Sequence, residues 1–305
     1  MKNIINVAQL AKRFGTTDVL NGIDLTIQEG EVFGFIGHNG AGKSTFINML
    51  TGIINKSSGS FEIIGTSDQQ LDDVKAKIGV MPDISNLYDH MKGIQFLRYM
   101  GKLAGDTRTK QDYIALMKDI GLEGAEKKKI KAYSFGMKKK ISIAQALLGN
   151  PSLIILDEPT SGLDPESAIN IRKLIVDLQQ QGKTILLTSH NLDEIDKISD
   201  RVGILSDGKV KKLGTPDELK NNTSSELSVA IRTNPTLTSQ KLAELSANWD
   251  FNVQFVTTKK KYVVVNVPHD NDIAKLSKEL IHSGFQLFEL RMEQQSLEDV
   301  FINSK

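Results

Sequence analysis

Short apolar runs bounded by glycine and polar residues alternate with stretches of helical spacing through the first two thirds of the chain. Val32-Phe33-Gly34-Phe35-Ile36 is such a run; a glycine-rich turn follows, then Lys43-Ser44-Thr45-Phe46-Ile47-Asn48-Met49-Leu50. The pattern predicts strand, loop and helix. Leu153-Ile154-Ile155-Leu156 predicts a second buried strand, running into Asp157-Glu158, and Thr184-Ile185-Leu186-Leu187-Thr188 a third. The helix between them has a clear start: Asp164 as cap and Pro165 in the first turn. Ile171, Leu174, Ile175 and Leu178 form one face, and Gly182 ends it. A strand–helix–strand unit of this kind predicts parallel neighbours. Residues 84–148 are mostly of helical spacing and predict a helical subdomain inserted into the strand pattern.

The last third has a different texture. Asn221-Asn222-Thr223-Ser224-Ser225 reads as a polar linker. Beyond it, Leu227, Val229 and Ile231 alternate as in a half-buried strand, and residues 238–247 have helical spacing. Val253-Gln254-Phe255-Val256 and Tyr262-Val263-Val264-Val265 flank Lys259-Lys260-Lys261, a hairpin pattern. A helix over 272–282 and a strand over 285–290 follow, and Ser296 with Asp299 resembles a capping box opening a last helix. The pattern predicts a small α+β domain over residues 221–305, of about 80 residues, behind a larger α/β domain over 1–220.

Composition narrows the function classes. The chain has 305 residues, 39% hydrophobic and 25% charged, enough for two ordinary cores. A net charge of +1 gives no bulk electrostatic reason to expect nucleic acid or an anionic surface as partner. There are no cysteines, which excludes disulfides, thiolate metal sites and a cysteine nucleophile. The N-terminal residues have no signal-peptide pattern. No apolar stretch reaches membrane-spanning length; the nearest, 141–156, is broken by Gln145 and by Gly149-Asn150-Pro151-Ser152. If the protein works at a membrane, another chain is expected to span it.

The chemistry concentrates in three places. Gly37-His38-Asn39-Gly40-Ala41-Gly42-Lys43-Ser44 matches G-x-x-x-x-G-K-[ST] between a predicted strand and a predicted helix, with Thr45 next in line. The glycines let backbone N–H groups turn inward around phosphate oxygens, Lys43 brings a point charge to the outer phosphates, and Ser44 a hydroxyl for Mg²⁺. Asp157-Glu158 ends a buried strand, where α/β sheets place their ligands. There Asp157 is a candidate Mg²⁺ ligand and Glu158 a candidate orienter of attacking water. His190 follows the third strand in Thr188-Ser189-His190 and is a candidate contact to a terminal phosphate; the plainer reading is a surface histidine.

The order of these motifs resembles the ATP-binding subunit of an ABC transporter over residues 1–220. Tyr133-Ser134-Phe135-Gly136-Met137 is similar to the family's signature stretch, usually leucine-serine-glycine-glycine-glutamine, and begins 20 residues before Leu153. Ser161-Gly162-Leu163-Asp164 resembles the D-loop, His190 the switch histidine, and Phe14 the aromatic that stacks on adenine, its alternative being an ordinary core residue. Ile78-Gly79-Val80-Met81-Pro82-Asp83 stands where the Q-loop falls, with Asp83 in place of glutamine. The serine-x-glycine-methionine form resembles the antibiotic- and drug-export branch, as does Ser296-Leu297-Glu298-Asp299-Val300-Phe301. The Lys138-Lys139-Lys140 run after the signature is read as a solvated helix face.

The resemblance implies a RecA-like P-loop ATPase core with an antiparallel β subdomain and a helical subdomain. It implies ATP and Mg²⁺ as ligands, with Ser134 and Gly136 clasping the ATP of an opposite subunit and Asp164 beside them. It implies an ATPase on the cytoplasmic face of the cell membrane that drives export through a separate permease, paired with a second ATP-binding subunit, and no nucleic acid. The C-terminal domain would help the subunits pair, or have no defined role. The rival reading is a soluble ABC ATPase acting on ribosomes or DNA. Such members usually carry two ATPase halves or a long coiled coil, and neither pattern occurs in this sequence. A subunit that binds ATP without hydrolysing it is disfavoured by the presence of Glu158 and His190.

Overall fold

The computed structural model of the protein describes residues 2–221, 227–293 and 296–302. The chain divides into one compact unit over Met1–Pro216 with Phe301–Lys305, and a second over Asp217–Val300. Beyond residue 221, the polar linker expected from the sequence lies outside the described residues, as does the Asp299 side chain of the expected capping box.

The first unit runs β1 (Asn3–Phe14), β2 (Thr17–Gln28), β3 (Val32–Ile36), α1 (Lys43–Leu50), β4 (Ser58–Ile63), β5 (Thr66–Ser67), β6 (Ile78–Val80), α2 (Gly93–Leu103), α3 (Lys110–Asp119), α4 (Phe135–Ala146), β7 (Leu153–Asp157), α5 (Pro165–Gln180), β8 (Thr184–Ser189), α6 (Leu192–Ile198), β9 (Arg201–Ser206) and β10 (Lys209–Gly214). The three apolar runs become β3, β7 and β8, and all are buried, as fits strands covered on both faces. They lie in a six-stranded sheet of order β10-β9-β3-β8-β7-β6. Every neighbouring pair from β9 to β6 is parallel, and only β10 is antiparallel. A separate antiparallel sheet has the order β2-β1-β4-β5.

One apolar cluster joins the two sheets around α1. It takes in Ile5 and Leu10 of β1, Ile23 of β2, Phe33 and Phe35 of β3, Phe46 and Leu50 of α1, and Leu186 of β8. Phe35 and Phe46 meet with ring centroids 4.7 Å apart; such pairs add about 0.5–1.5 kcal/mol beyond the area they bury. α1 is thereby tied to both loop and core: its N-terminus is the end of the glycine loop, and Phe46 and Leu50 are core. α5 follows its sequence signals, with Asp164 capping, Pro165 in the first turn, and Ala168, Ile171, Ile175 and Leu178 buried.

The helices between β6 and β7 have their own core, built on Phe96 and Leu97 of α2, Tyr113 and Met117 of α3, and Ile141 and Ala144 of α4. Tyr133 is buried among them, its hydroxyl donating to the Ala125 carbonyl at 2.8 Å. Burial pushes its phenol up to about 12.

The second unit contains β11 (Leu227–Asn234), α8 (Ser239–Ser246), β12 (Gln254–Lys259), β13 (Tyr262–Val267), α9 (Asp270–His282) and β14 (Gln286–Met292), with α7 (Pro216–Asn221) and α10 (Leu297–Ile302) at its ends. Its antiparallel sheet has the order β12-β13-β11-β14. Leu242 of α8 and Leu276 and Leu280 of α9 pack on Val229, Ile231, Val263 and Val265. The expected lysine turn joins β12 to β13, with Lys260 at φ 57°. β11 departs from the alternation read in the sequence: Ala230 is as fully buried as Val229 and Ile231, so the strand is covered on both faces at its centre. Among the described residues no helix is long and apolar enough to cross a membrane.

β6 and α4 approach each other closely enough to dictate a residue. A Cβ on Gly79 would lie 1.8 Å from the Ala146 carbonyl oxygen and 2.8 Å from Pro151 Cγ. Gly79→Ala is therefore expected to lower the unfolding free energy by about 3 kcal/mol, the upper end of ordinary overpacking costs. Denaturant melts check this; a midpoint equal to the parent's would mean that strand and helix end separate freely.

Candidate active site

Parallel strands bring their carboxyl ends to one edge of the sheet, and that edge holds every phosphate-chemistry candidate from the sequence. The glycine loop leaves β3, Asp83 follows β6, Asp157 ends β7 with Glu158 next, and His190 follows β8.

The loop folds as it does for reasons of space and dihedral. A Cβ on Gly37 would stand 2.7 Å from the Leu205 carbonyl oxygen. Gly42 caps α1 at φ 109°, a conformation that a side chain would strain. Lys43, only 7% exposed, turns back into the loop. Its Nζ donates to the Gly37 carbonyl at 2.6 Å, is 3.4 Å from that of His38, and lies 3.8 Å from Glu158 Oε1. A concavity of about 250 Å³ lies above, lined by Val19, the loop from His38 to Thr45 except Ala41, and Asp157 with Glu158. Ala41 points instead into the core. The exposed His38 ring pairs through Nδ1 with the Asn39 carbonyl at 2.9 Å.

Both oxygens of Asp157 are engaged. Oδ2 accepts from the Ser44 hydroxyl at 3.0 Å, and Oδ1 accepts from the Thr188 hydroxyl. Thr188 is fully buried and also receives the Glu158 amide, at 3.0 Å. Glu158 has φ 50°, a left-handed conformation that costs a non-glycine residue about 1–3 kcal/mol. Its side chain points to the loop: Oε2 is 2.8 Å from His190 Nδ1 and Oε1 faces Lys43. His190 itself is 54% exposed on its side chain.

The remaining candidates do not line the concavity. Phe14 ends β1 with 48% of its surface exposed and the Lys12 ammonium 4.6 Å from its ring centre, so it is not the core residue that was its alternative. Ser134 caps α4, its hydroxyl accepting from the Met137 amide at 3.3 Å. Gly136 sits in the first turn of α4 beside Leu163 and Ser167, and Asp164 caps α5 through the Ser167 amide at 2.9 Å. That bond holds the Asp164 carboxyl below its ordinary range. Asp83 is turned onto its own loop: Oδ1 accepts from the Ser85 amide at 2.8 Å and hydroxyl at 2.7 Å, which likewise holds its carboxyl low.

Lys139 overturns an expectation. The lysine run was read as a solvated face, yet Lys139 is only 8% exposed and its Nζ donates to the Glu158 carbonyl at 2.6 Å. Burial pushes its ammonium down, and Glu158, Asp157 and Asp83 counter that. Its flanking residues do keep surface partners, Lys138 with Asp89 at 2.9 Å and Lys140 with the Gly121 carbonyl at 3.3 Å. A signal was present: Lys139, Ser142, Ile143 and Ala146 fall at i, i+3, i+4 and i+7 of one helix, and all are buried. A second group missed from the sequence is Glu194 of α6. It accepts from the Thr160 hydroxyl and pairs with Arg172 of α5 at 3.0 Å, tying the segment after Glu158 to the helix after His190.

A glycine loop closed around a buried lysine at a parallel strand end, facing an Asp-Glu pair and a histidine, defines a phosphate-loop nucleotide-binding protein. Residues 20–161 match the family described as ABC transporter. The chain is 31% identical to the bacitracin transport ATP-binding protein BcrA of Bacillus licheniformis, over 99% of this chain and 97% of that one. It is 29% identical to the linearmycin resistance ATP-binding protein LnrL of Bacillus subtilis, over 98% and 97%. Among solved structures, one described as the ATP binding subunit of an ABC transporter aligns with TM-score 0.65 at 28% identity, over 72% of this chain and 92% of that one. The chain belongs to the ATP-binding subunits of ABC transporters, and is an ATP-hydrolysing enzyme of that family. These relatives favour transport over the rival reading of ribosome or DNA remodelling.

The Thr160–Glu194–Arg172 group predicts a stability effect apart from catalysis. Glu194→Ala leaves a largely buried guanidinium and a buried hydroxyl without their acceptor, and is expected to cost about 3 kcal/mol. Chemical denaturation measures it; a loss under 1 kcal/mol, about what an exposed pair contributes, would contradict the assignment.

Proposed function

We propose that two such chains, or this chain and a relative, sandwich ATP between the glycine loop of one and Ser134 and Gly136 of the other, and that this cycle drives export through a separate membrane permease. The single observation that carries the hydrolytic part is the contact of Glu158 with His190 beside Lys43. A carboxylate held 2.8 Å from an imidazole and 3.8 Å from a cation is placed to orient a water and accept its proton. Lys43 neutralises the outer phosphates, whose oxygens compete with the Gly37 carbonyl for its Nζ. His190 steadies the Glu158 carboxylate and reaches the terminal phosphate. Amides of residues 38–45 wrap the phosphates at the N-terminus of α1. Exposed Phe14 offers a ring face for adenine. Asp164 keeps the start of α5 ordered beside Gly136.

The Ser44 hydroxyl and the Asp157 carboxylate stand 3.0 Å apart, a hard-oxygen pair suited to Mg²⁺. Bound there, Mg²⁺ would supply charge neutralisation of the β- and γ-phosphates. The Asp83 carboxylate, spent on Ser85, acts as a local staple of the segment after β6 rather than as a ligand.

Export is the direction suggested by the serine-x-glycine-methionine signature and by relatives named for bacitracin transport and linearmycin resistance. The cargo class is accordingly a hydrophobic or peptide antibiotic, and the work site is the cytoplasmic face of the membrane. Residues 1–220 act as the nucleotide-binding domain, with 84–148 as the segment that meets the permease, and residues 221–305 as an accessory domain that aids pairing.

Two variants test this. Glu158→Gln is expected to keep ATP, to lower steady-state phosphate release by at least about a hundredfold, and to accumulate a dimer in size-exclusion chromatography with ATP. Unchanged phosphate release would refute its role. Lys43→Ala removes a charge-assisted contact of about 1.5–3 kcal/mol and should weaken ATP binding at least about tenfold in equilibrium titration. Parental affinity would refute the loop as the phosphate site.

A further inference from the structure

We infer that Lys139 is a positioning residue for ATP hydrolysis, a tie between the helix that starts at Ser134 and the backbone of Glu158. The inference rests on the reading of Glu158 as the residue that orients water, and goes beyond it by naming what holds that residue in place.

Five observations converge. Glu158 stands at φ 50°, so its conformation must be imposed by neighbours. Its amide is held by Thr188 at 3.0 Å and its carbonyl by Lys139 at 2.6 Å, which fixes the peptide units on both sides of the Cα carrying the carboxylate. Lys139 is taken almost wholly out of water, 8% exposed, although lysine loses hydration by burial and a solvated rotamer was available to its neighbours. The negative charges of Glu158, Asp157 and Asp83, at the carboxyl ends of β6 and β7, favour the charged form of its ammonium there. A rigid helix joins this contact to the signature: Ser134 caps α4 and Lys139 lies just over one turn along it.

The consequence is specific. Ser134 and Gly136 are read as serving the ATP of the opposite subunit, while Glu158 serves the chain's own. Lys139 connects the two by one hydrogen bond, so movement of α4 on one nucleotide reaches the peptide that aims the carboxylate at the other. Lys139 does not touch ATP in this scheme, and its loss should act on turnover and spare binding. A misplacement of about 1 Å in a reacting group costs roughly a hundredfold in rate.

The test uses the full chain, with kcat expressed per nucleotide site titrated in the same sample with a fluorescent ATP analogue, so that unfolded molecules do not count. Lys139→Met keeps the stem and removes the donor. It is expected to lower kcat roughly 30- to 100-fold with KM and analogue affinity within about threefold of the parent. Lys139→Gln keeps a shorter neutral donor and is expected to recover part of the loss, ending about three- to tenfold below the parent with KM again unchanged. Parental kcat in Lys139→Met overturns the inference. So does a parallel loss of kcat and affinity, which marks a merely structural lysine, and so does Lys139→Gln with no recovery over Lys139→Met or with altered KM. Glu158→Gln is measured alongside. If it retains turnover, the reading of Glu158 fails; if it abolishes turnover while Lys139→Met does not, the inference about Lys139 alone fails.

Discussion

A lysine ammonium enclosed by backbone carbonyls at the end of a buried strand is the constraint around which the first unit is organised. Lys43 can sit there only because the loop closes on glycines, and the loop can close only because β3 and α1 hold its two ends in the same core. Phe35 and Phe46, one from each side of the loop, are in contact. The nucleotide site thus inherits its rigidity from apolar packing beneath it. Parallel pairing of β3 with β8 and β8 with β7 then delivers His190 and the Asp157-Glu158 pair to the same edge.

Much of this edge was legible in the sequence because its signals are local. A four- or five-residue apolar run followed by glycine or by acid marks a strand and its end, and a helix cap such as Asp164 announces itself three residues ahead of its partner. What escaped was decided by distant chain. Lys139 is buried because Glu158, 19 residues on, presents a carbonyl to it, and a run of three lysines masks one member that falls on the inner face. Ala230 is buried on a face of β11 that the alternation left to solvent. The turn of Asp83 onto Ser85 was readable in principle, since aspartate two residues ahead of serine is an ordinary local turn.

The site's charges are shared out so that few carboxylates stand alone. Asp157 is bonded on both oxygens, Asp83 and Asp164 are spent on amides, and Glu194 is paired across two helices. Glu158 differs: its two oxygens face a histidine and a lysine that the proposed cycle assigns to phosphate. Its neighbours are therefore ones that a nucleotide would rearrange, while its backbone stays pinned.

The missing side chain of Gly79 gives α4 the geometry of a lever. Its last residue, Ala146, rests with its carbonyl against the Gly79 backbone of β6, beside the Pro151 ring. The 12-residue helix reaches about 18 Å from that fulcrum to the cap at Ser134. Lys139 sits partway, about 10 Å out. Any tilt of about 5° about the fulcrum displaces the cap by about 1.6 Å and Lys139 by about 0.9 Å. The same angle is thus a large stroke at the tip and a finer one near the sheet, a gearing set by where one glycine falls.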